Sequence, residues 1–253
     1  MVKMLDASSI SIVLDTYQPE RDALLELLGG LSADDWMRPT ECPAYPVKGV
    51  ASHLLGDDLS LLSRQRDGAV QGLEFMAEQL PGADFRTLLG AFNDQWVSAN
   101  RFMSPLLLIE LLGLTGEWTA AYYGSVDPDA PAEPVGLFGA SRESSSPFWQ
   151  AIAREFLERW IHHSQIRRAL GLGSLADAQF LVTGLEVVGA IAHLEPVVPA
   201  DSQGDWGFGP IVLGPAQQAA SILTRAYSAE SVRRLARGPT EMVELVAAVA
   251  GKS

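Results

Sequence analysis

Helical periodicity is the feature that most constrains the fold of this chain. Apolar residues recur every three or four positions through most of the sequence, and clusters of glycine or proline separate these stretches. The spacing predicts helices over residues 17–28, 47–66, 83–102 and 148–170. Another opens at Ser104-Pro105 and runs to about residue 112, followed by a short turn over residues 117–123. This pattern predicts a mainly α fold.

The last third of the chain has a different character. A helix is predicted over residues 177–194, and the next twenty residues contain closely spaced prolines and glycines with a strand-like Ile211-Val212-Leu213. Three short helices are predicted over residues 215–227, 229–237 and 240–250. We therefore place one domain at residues 1–173 and a short C-terminal helical or α+β region at residues 174–253.

Composition excludes several classes of protein. The net charge is −13, with 31 acidic and 18 basic residues and no basic stripe, which argues against nucleic-acid binding. No uncharged apolar stretch reaches about 18 residues and the start does not resemble a signal peptide, so neither a membrane span nor export is expected. The single cysteine, Cys42, excludes an internal disulfide and fits the reducing cytoplasm.

The helix predicted over residues 148–170 contains the strongest candidate site. Glu158 and His162 are four residues apart, so they share one helix face with β-carbons roughly 5–6 Å apart. A carboxylate and an imidazole at this spacing can bind one metal ion, although an ordinary surface Glu–His pair is the alternative. His163 is an alternative ligand, but it lies about 100° round the helix from His162 and cannot share the face of Glu158.

A third candidate ligand, His53, lies in an earlier predicted helix. This helix follows a loop that contains Pro39, Pro43 and Pro46 and cannot be helical throughout. Taken alone, a histidine among valine, alanine and leucine is more often a core residue than a metal ligand.

Two stretches of sequence resemble a known family. The first runs from residue 35 to residue 54 and resembles the opening signature of the mycothiol-dependent maleylpyruvate isomerase family, D-W-x-x-P-T-x-C-P-G-W-x-V followed by H-L. It is carried by Asp35-Trp36, Pro39-Thr40, Cys42-Pro43, Val47 and His53-Leu54. The second resembles E-x-x-x-H-x-x-D/Q-I-R-x-A-L-G, with Glu158, His162, Gln165, Ile166, Arg167, Ala169, Leu170 and Gly171 in register.

The resemblance covers residues 17–173 and implies a fold and a chemistry. The fold is a DinB-like four-helix bundle, and the metal, zinc or alternatively nickel, is held by His53, Glu158 and His162. Three protein ligands leave a coordination position open for water or substrate, as in catalytic zinc sites. In this family the metal is thought to activate the thiol of mycothiol, which adds to a cis double bond, permits rotation and leaves. The resemblance therefore assigns Glu158 and His162 as catalytic residues too.

Residues near these ligands are assigned with their alternatives. Asp57 and Gln165 are candidates to orient the ligand side chains, with a solvated surface as the alternative for Asp57. Gln165 stands where the family commonly has Asp, and Ala44-Tyr45 stands where it has Gly-Trp. Cys42 is interpreted as structural, with a reactive role as the alternative. Arg225 is a candidate for cofactor binding, with an ordinary surface arginine as the alternative.

Three hypotheses for function follow. The first is a metal-dependent isomerase or S-transferase that uses a low-molecular-weight thiol of the mycothiol type, with the long predicted loop at residues 127–147 covering the site. The second is a non-catalytic metal-binding or regulatory module, favoured by Gln165 and by a C-terminal region shorter than the family's. The third is a structural bundle without metal. The expected partners are a small-molecule substrate and the thiol, and DinB-like bundles are often homodimers.

Overall fold

The computed structural model describes residues 5–69, 71–133, 145–200 and 204–251. Helices make up most of these residues, so the prediction of a mainly α, bundle-type fold is confirmed. The chain forms two compact units: a central unit, Arg21–Ser125, and a terminal unit made from the chain up to Glu20 and from Val126 onward. None of the described helices is long and apolar enough to cross a membrane.

Helix α1 (Ser11–Gly29) begins in the terminal unit and ends in the central unit. The central unit continues with α2 (Ala33–Trp36), α3 (Val47–Leu61), α4 (Gln71–Gln79), α5 (Phe85–Ala99) and α6 (Pro105–Ser125). A π-helical turn at Leu62–Arg66 extends α3, and a 3-10 turn at Asn100–Phe102 extends α5. Within this unit α3 packs against α5 and α6, and α4 packs against α5.

A glycine lets α3 and α5 approach each other closely. A β-carbon added at Gly56 would overlap the indole ring of Trp96. The same indole donates from Nε1 to the backbone oxygen of Ser52 over 2.8 Å. Because the ring fills the space that a side chain would occupy, this contact fixes α5 against the middle of α3.

The terminal unit contains the remaining elements, and these are β1 (Pro131–Ala132), β2 (Ser146–Pro147), α7 (Phe148–Ala169), α8 (Ala178–Ala192), β3 (Pro196–Val197), β4 (Trp206–Phe208), β5 (Ile211–Gly214), α9 (Ala216–Leu223), α10 (Ala229–Leu235) and α11 (Thr240–Ala250). Strands β1 and β2 pair antiparallel, and β3, β4 and β5 form an antiparallel sheet in that order. Of the two alternatives for the C-terminal region, helical or α+β, the structure therefore has α+β.

Trp160 organises the packing of α7 against α8. Its side chain is fully buried, and a β-carbon added at Gly184 of α8 would overlap its ring. Nε1 of this tryptophan donates to the backbone oxygen of Leu175 over 2.9 Å. The ring thereby holds the turn that follows α7 as well as α8, which fixes the orientation of the α7 surface that carries Glu158 and His162.

The structure corrects the predicted helix boundaries at three places. Helix α1 begins at Ser11 rather than at residue 17, α4 was not predicted, and α6 continues to Ser125 rather than ending near residue 112. Of the predicted loop at residues 127–147, β1 and β2 are described, whereas residues 134–144 lie outside the described residues. The covering role of this loop and the domain boundary at residue 173 stay predictions.

Candidate functional site

Glu158 and His162 lie one turn apart on α7 with their reactive atoms close together. Oε2 of Glu158 is 3.6 Å from Nε2 of His162, and the two side chains are 25% and 17% exposed. This separation is too long for a hydrogen bond. It is close to the roughly 3.4 Å between two donor atoms that sit about 2.1 Å from one tetrahedral metal ion. The pair therefore fits a shared divalent cation with little rearrangement.

Gln165 holds the other side of the His162 ring. Nδ1 of His162 lies 2.9 Å from Oε1 of Gln165, which is itself largely buried at 8% exposure. In the tautomer in which Nδ1 donates to this amide oxygen, Nε2 carries the lone pair and lies on the side of Glu158. Metal-binding histidines are commonly oriented in this way through their second ring nitrogen.

His53 lies on α3 in the central unit and is half-buried. Its ring stacks on Tyr45 with the ring centroids 6.3 Å apart and an interplanar angle of 27°. Asp57 follows one turn later on α3 and is also half-buried. The aromatic residue that stands where the family has tryptophan therefore contacts the histidine that the resemblance assigns as a ligand.

The three-ligand metal site stays a prediction. Glu158 and His162 belong to the terminal unit, whereas His53 belongs to the central unit. Across the described parts of the chain there is no group of three or more His, Cys, Asp or Glu side chains that could hold a metal ion. The Glu158–His162 pair alone carries the structural argument for metal binding.

The proline loop that precedes α3 is tied together by Thr40. Its hydroxyl donates to the backbone oxygen of Tyr45 over 2.7 Å and accepts from the backbone nitrogen of Cys42 over 3.1 Å. The half-buried Cys42 thus lies in a loop held by its backbone. The hydroxyl of Tyr45 donates to Oδ1 of Asp94 over 2.5 Å, and burial together with this carboxylate raises the pKa of Tyr45.

His163, the alternative ligand, makes a buried hydrogen-bond contact instead. Its side chain is 0% exposed, and its Nδ1 is 2.8 Å from Oε1 of Glu20, which is 1% exposed. Both residues belong to the terminal unit. Because His163 is committed to Glu20 inside the core, His162 is the histidine of α7 that remains accessible beside Glu158.

A buried ionic network in the central unit was not predicted from the sequence. Arg21 and Asp58 are 1% and 2% exposed and form an ion pair of 2.9 Å. The hydroxyl of Thr115 donates to Asp58 over 2.7 Å, and Arg21 also donates to the backbone oxygen of Leu112 over 2.9 Å. These residues come from three distant segments, so no local spacing reveals them.

Arg225 follows α9 and is half-buried, with a left-handed backbone at φ 59°. The residue before it, Thr224, accepts hydrogen bonds from Arg168 at both its hydroxyl, over 2.9 Å, and its backbone oxygen, over 3.2 Å. Arg168 also donates to Ser174 over 2.8 Å. The backbone next to Arg225 is therefore anchored to the end of α7. The role of Arg225 in cofactor binding stays a prediction.

Comparison with known proteins identifies the family. The family model described as the mycothiol maleylpyruvate isomerase N-terminal domain matches residues 17–167, which is more than half of the 253 residues. Searches of curated proteins and of solved structures gave no match. The matched range includes His53, Glu158 and His162. This chain therefore belongs to the mycothiol maleylpyruvate isomerase N-terminal domain family.

Proposed function

We propose that the protein is a metal-dependent isomerase or S-transferase that uses a low-molecular-weight thiol of the mycothiol type. The observation that carries this proposal is the pair of donor atoms on Glu158 and His162, 3.6 Å apart, with the second nitrogen of His162 held by Gln165. Membership of the mycothiol-associated family supports the choice of thiol.

The proposed ligands are His53, Glu158 and His162. Imidazole nitrogen and carboxylate oxygen suit zinc, with nickel as the alternative metal. When bound, the metal would lower the pKa of a coordinated thiol and make the nucleophilic thiolate available at neutral pH. As one negative and two neutral ligands, the three side chains would leave a net positive charge to attract that thiolate.

The neighbouring residues have orienting roles in this proposal. In this proposal the side-chain oxygen of Gln165 accepts from Nδ1 of His162, which leaves the lone pair on Nε2, beside Glu158. Tyr45 packs against the ring of His53 and is itself anchored on Asp94, which restricts the rotation of that imidazole. We assign Asp57 to a supporting contact on α3 and Arg225 to the anionic part of the thiol or substrate.

The first experiment is metal analysis of the untagged full-length protein after incubation with zinc. We expect about one metal per chain, lost in His162→Ala and strongly reduced in Glu158→Gln and His53→Ala. His193→Asn is the matched control, since His193 is exposed at the end of α8 and asparagine tolerates its left-handed backbone. Absence of metal from the wild-type protein would overturn the proposal.

The second experiment tests catalysis in the metal-loaded protein. Mycothiol is supplied with maleylpyruvate and, separately, with generic electrophiles, and product is followed by chromatography. Thiol-dependent turnover that disappears in Glu158→Gln is the expected result. The matching control is the His193→Asn protein, which should retain the wild-type rate.

One observation favours a second candidate function, a non-catalytic metal-binding module. Gln165 provides a neutral hydrogen bond to His162, whereas the aspartate common in this family would provide a charge-assisted one, which is roughly twice as strong. Metal binding without turnover for any electrophile would support the module and exclude the enzyme.

We also propose a cytoplasmic location and leave a homodimer as the expected assembly. The cytoplasm supplies the reducing conditions that suit both a free Cys42 and a thiol cosubstrate. Sedimentation equilibrium of the metal-loaded protein gives the assembly state directly, and a monomer at micromolar concentration would contradict the dimer.

A further inference from the structure

A cavity of about 220 Å³ opens in the central unit between the first turns of α3 and the end of α5. None of the residues assigned above to metal binding lines it, and its lining combines charged, polar and apolar side chains. Those that carry the argument are Lys48, Ser52, Arg101, Met37, Pro46 and Val97. The volume is below the roughly 300–1,000 Å³ typical of pockets for drug-sized ligands, so an occupant must be small.

Two cations converge on this cavity. Nζ of Lys48 donates to the backbone oxygen of Arg101 over 2.8 Å, which holds the ammonium group at the 3-10 turn after α5. The guanidinium of Arg101 lies 4.5 Å from the centre of the Phe102 ring and donates to Ser98 over 3.2 Å. The ammonium group has three donors, and one of them is used in this contact.

Neither cation is neutralised by a carboxylate within the described part of the chain. The ion pairs in these described residues involve other side chains. Carboxylates are nevertheless abundant, since the net charge of the chain is −13. Asp94 lines an adjoining depression together with Arg101, but its carboxylate accepts the hydroxyl of Tyr45. In an acidic protein, two cations without ion-pair partners at one cavity indicate an anionic ligand.

The other walls indicate what kind of anion fits. Ser52 is 3% exposed, and its hydroxyl has no hydrogen-bond partner among the described residues, a state that costs free energy unless a polar atom reaches it. Met37, Pro46 and Val97 present apolar surface, which cannot hydrogen-bond the several oxygens of a phosphate. A carboxylate with a short apolar body fits both the polar and the apolar part of this lining, because its oxygens can hydrogen-bond and its hydrocarbon part can pack.

We propose that this cavity binds a small carboxylate. Its oxygens accept from Lys48, Arg101 and the hydroxyl of Ser52, and its hydrocarbon part contacts Met37, Pro46 and Val97. Because no residue that lines the cavity is a proposed metal ligand, we expect a protein stripped of metal to bind the carboxylate equally well.

The test measures binding of sodium butyrate to metal-stripped, full-length protein by saturation-transfer NMR and calorimetric titration. Butyramide, which has the same shape without the charge, and inorganic phosphate are the comparison probes. We expect butyrate to bind, butyramide and phosphate to bind at least about tenfold more weakly, and Lys48→Met and Arg101→Met each to weaken butyrate binding by roughly tenfold.

Three variants make the test independent of folding defects. Lys48→Arg keeps the charge and should retain most of the affinity. Arg66→Met removes an exposed arginine of the same unit that is paired with Asp67, and should leave binding unchanged. Glu158→Gln should also bind butyrate normally, which separates this site from the metal proposal. No butyrate binding, tighter phosphate binding, or affinity that survives both Lys48→Met and Arg101→Met would overturn the proposal.

Discussion

The buried pair of Arg21 and Asp58 predicts a strongly non-additive pattern of stabilities. Asp58→Leu removes the carboxylate that accepts from Arg21 and from Thr115, and it leaves the guanidinium in a site that is 1% exposed. Breaking a buried ion pair at one partner costs about 3–5 kcal/mol of folding free energy, because the remaining charge is uncompensated. That loss is a large fraction of the about 5–15 kcal/mol that stabilises a typical domain.

Replacing both partners should recover most of the folding free energy that Asp58→Leu loses. Arg21→Met keeps the volume of the side chain and removes the charge, so the double variant Arg21→Met/Asp58→Leu buries two apolar groups of similar size. Replacement of a buried pair by apolar residues is often neutral or stabilising. The Nε–H group of Arg21 has no hydrogen-bond partner among the described residues, so the native pair is itself incompletely satisfied. We expect the double variant to lie within about 2 kcal/mol of wild type.

The assay is urea unfolding at pH 7, followed by far-UV circular dichroism and tryptophan fluorescence, with the free energy of unfolding taken by linear extrapolation. Arg233→Met is the control, since its ion pair with Glu244 is exposed and should contribute no more than about 1 kcal/mol. An Asp58→Leu loss below about 1 kcal/mol, or a double variant as unstable as the sum of the single variants, would refute this reasoning.

Three further predictions concern single residues. Gly116→Ala should lower the free energy of unfolding in urea by about 1–3 kcal/mol, because the new β-carbon would meet Cγ of Arg21 at 2.8 Å. Gly90→Ala, whose β-carbon has nothing within 4 Å, should raise it by up to about 1 kcal/mol. Equal effects of the two variants would contradict this prediction. Gln165→Leu should weaken zinc affinity about 10-fold to 100-fold in chelator competition and Gln165→Glu should strengthen it, whereas unchanged affinities would exclude an orienting role. Burial raises the pKa of Glu186 above 4.5, so its protonated form favours the folded state and stability falls as pH rises through the folded pKa. Glu186→Gln should therefore stabilise at pH 7 with little effect near pH 4, and a loss of stability at pH 7 would contradict the assignment.

Local periodicity accounts for the elements that the sequence predicted well. The predicted helix over residues 148–170 appears as Phe148–Ala169, because its apolar residues keep one helical period and Gly171 ends it. The same periodicity places Glu158 and His162 on one face, and the structure has their reactive atoms 3.6 Å apart. Both the helix and the spacing of this pair depend only on residues that are close in sequence, so the sequence alone can predict them.

Long-range contacts explain what the sequence could not predict. The helix α6 was predicted to end near residue 112, but it continues through Gly116, which is the position at which Arg21 crosses the helix. In β4, which was not predicted, a β-carbon at Gly207 would overlap the backbone oxygen of Ile211 in the paired strand. In both cases glycine is required by a close approach that only the folded chain creates.

The adjacent histidines of α7 show how such a contact determines a candidate site. Helical geometry separates His162 from His163 by about 100°, but it does not say which one faces the core. The choice depends on Glu20, which lies far away in sequence. Its Oε1 is 2.8 Å from Nδ1 of His163, and both side chains are fully buried. Because both side chains of this contact are buried, His163 is part of the core. His162, which is 17% exposed and contacts Gln165, is the imidazole left for Glu158, so the assignment of the proposed metal-binding face depends on the structural role of its neighbour.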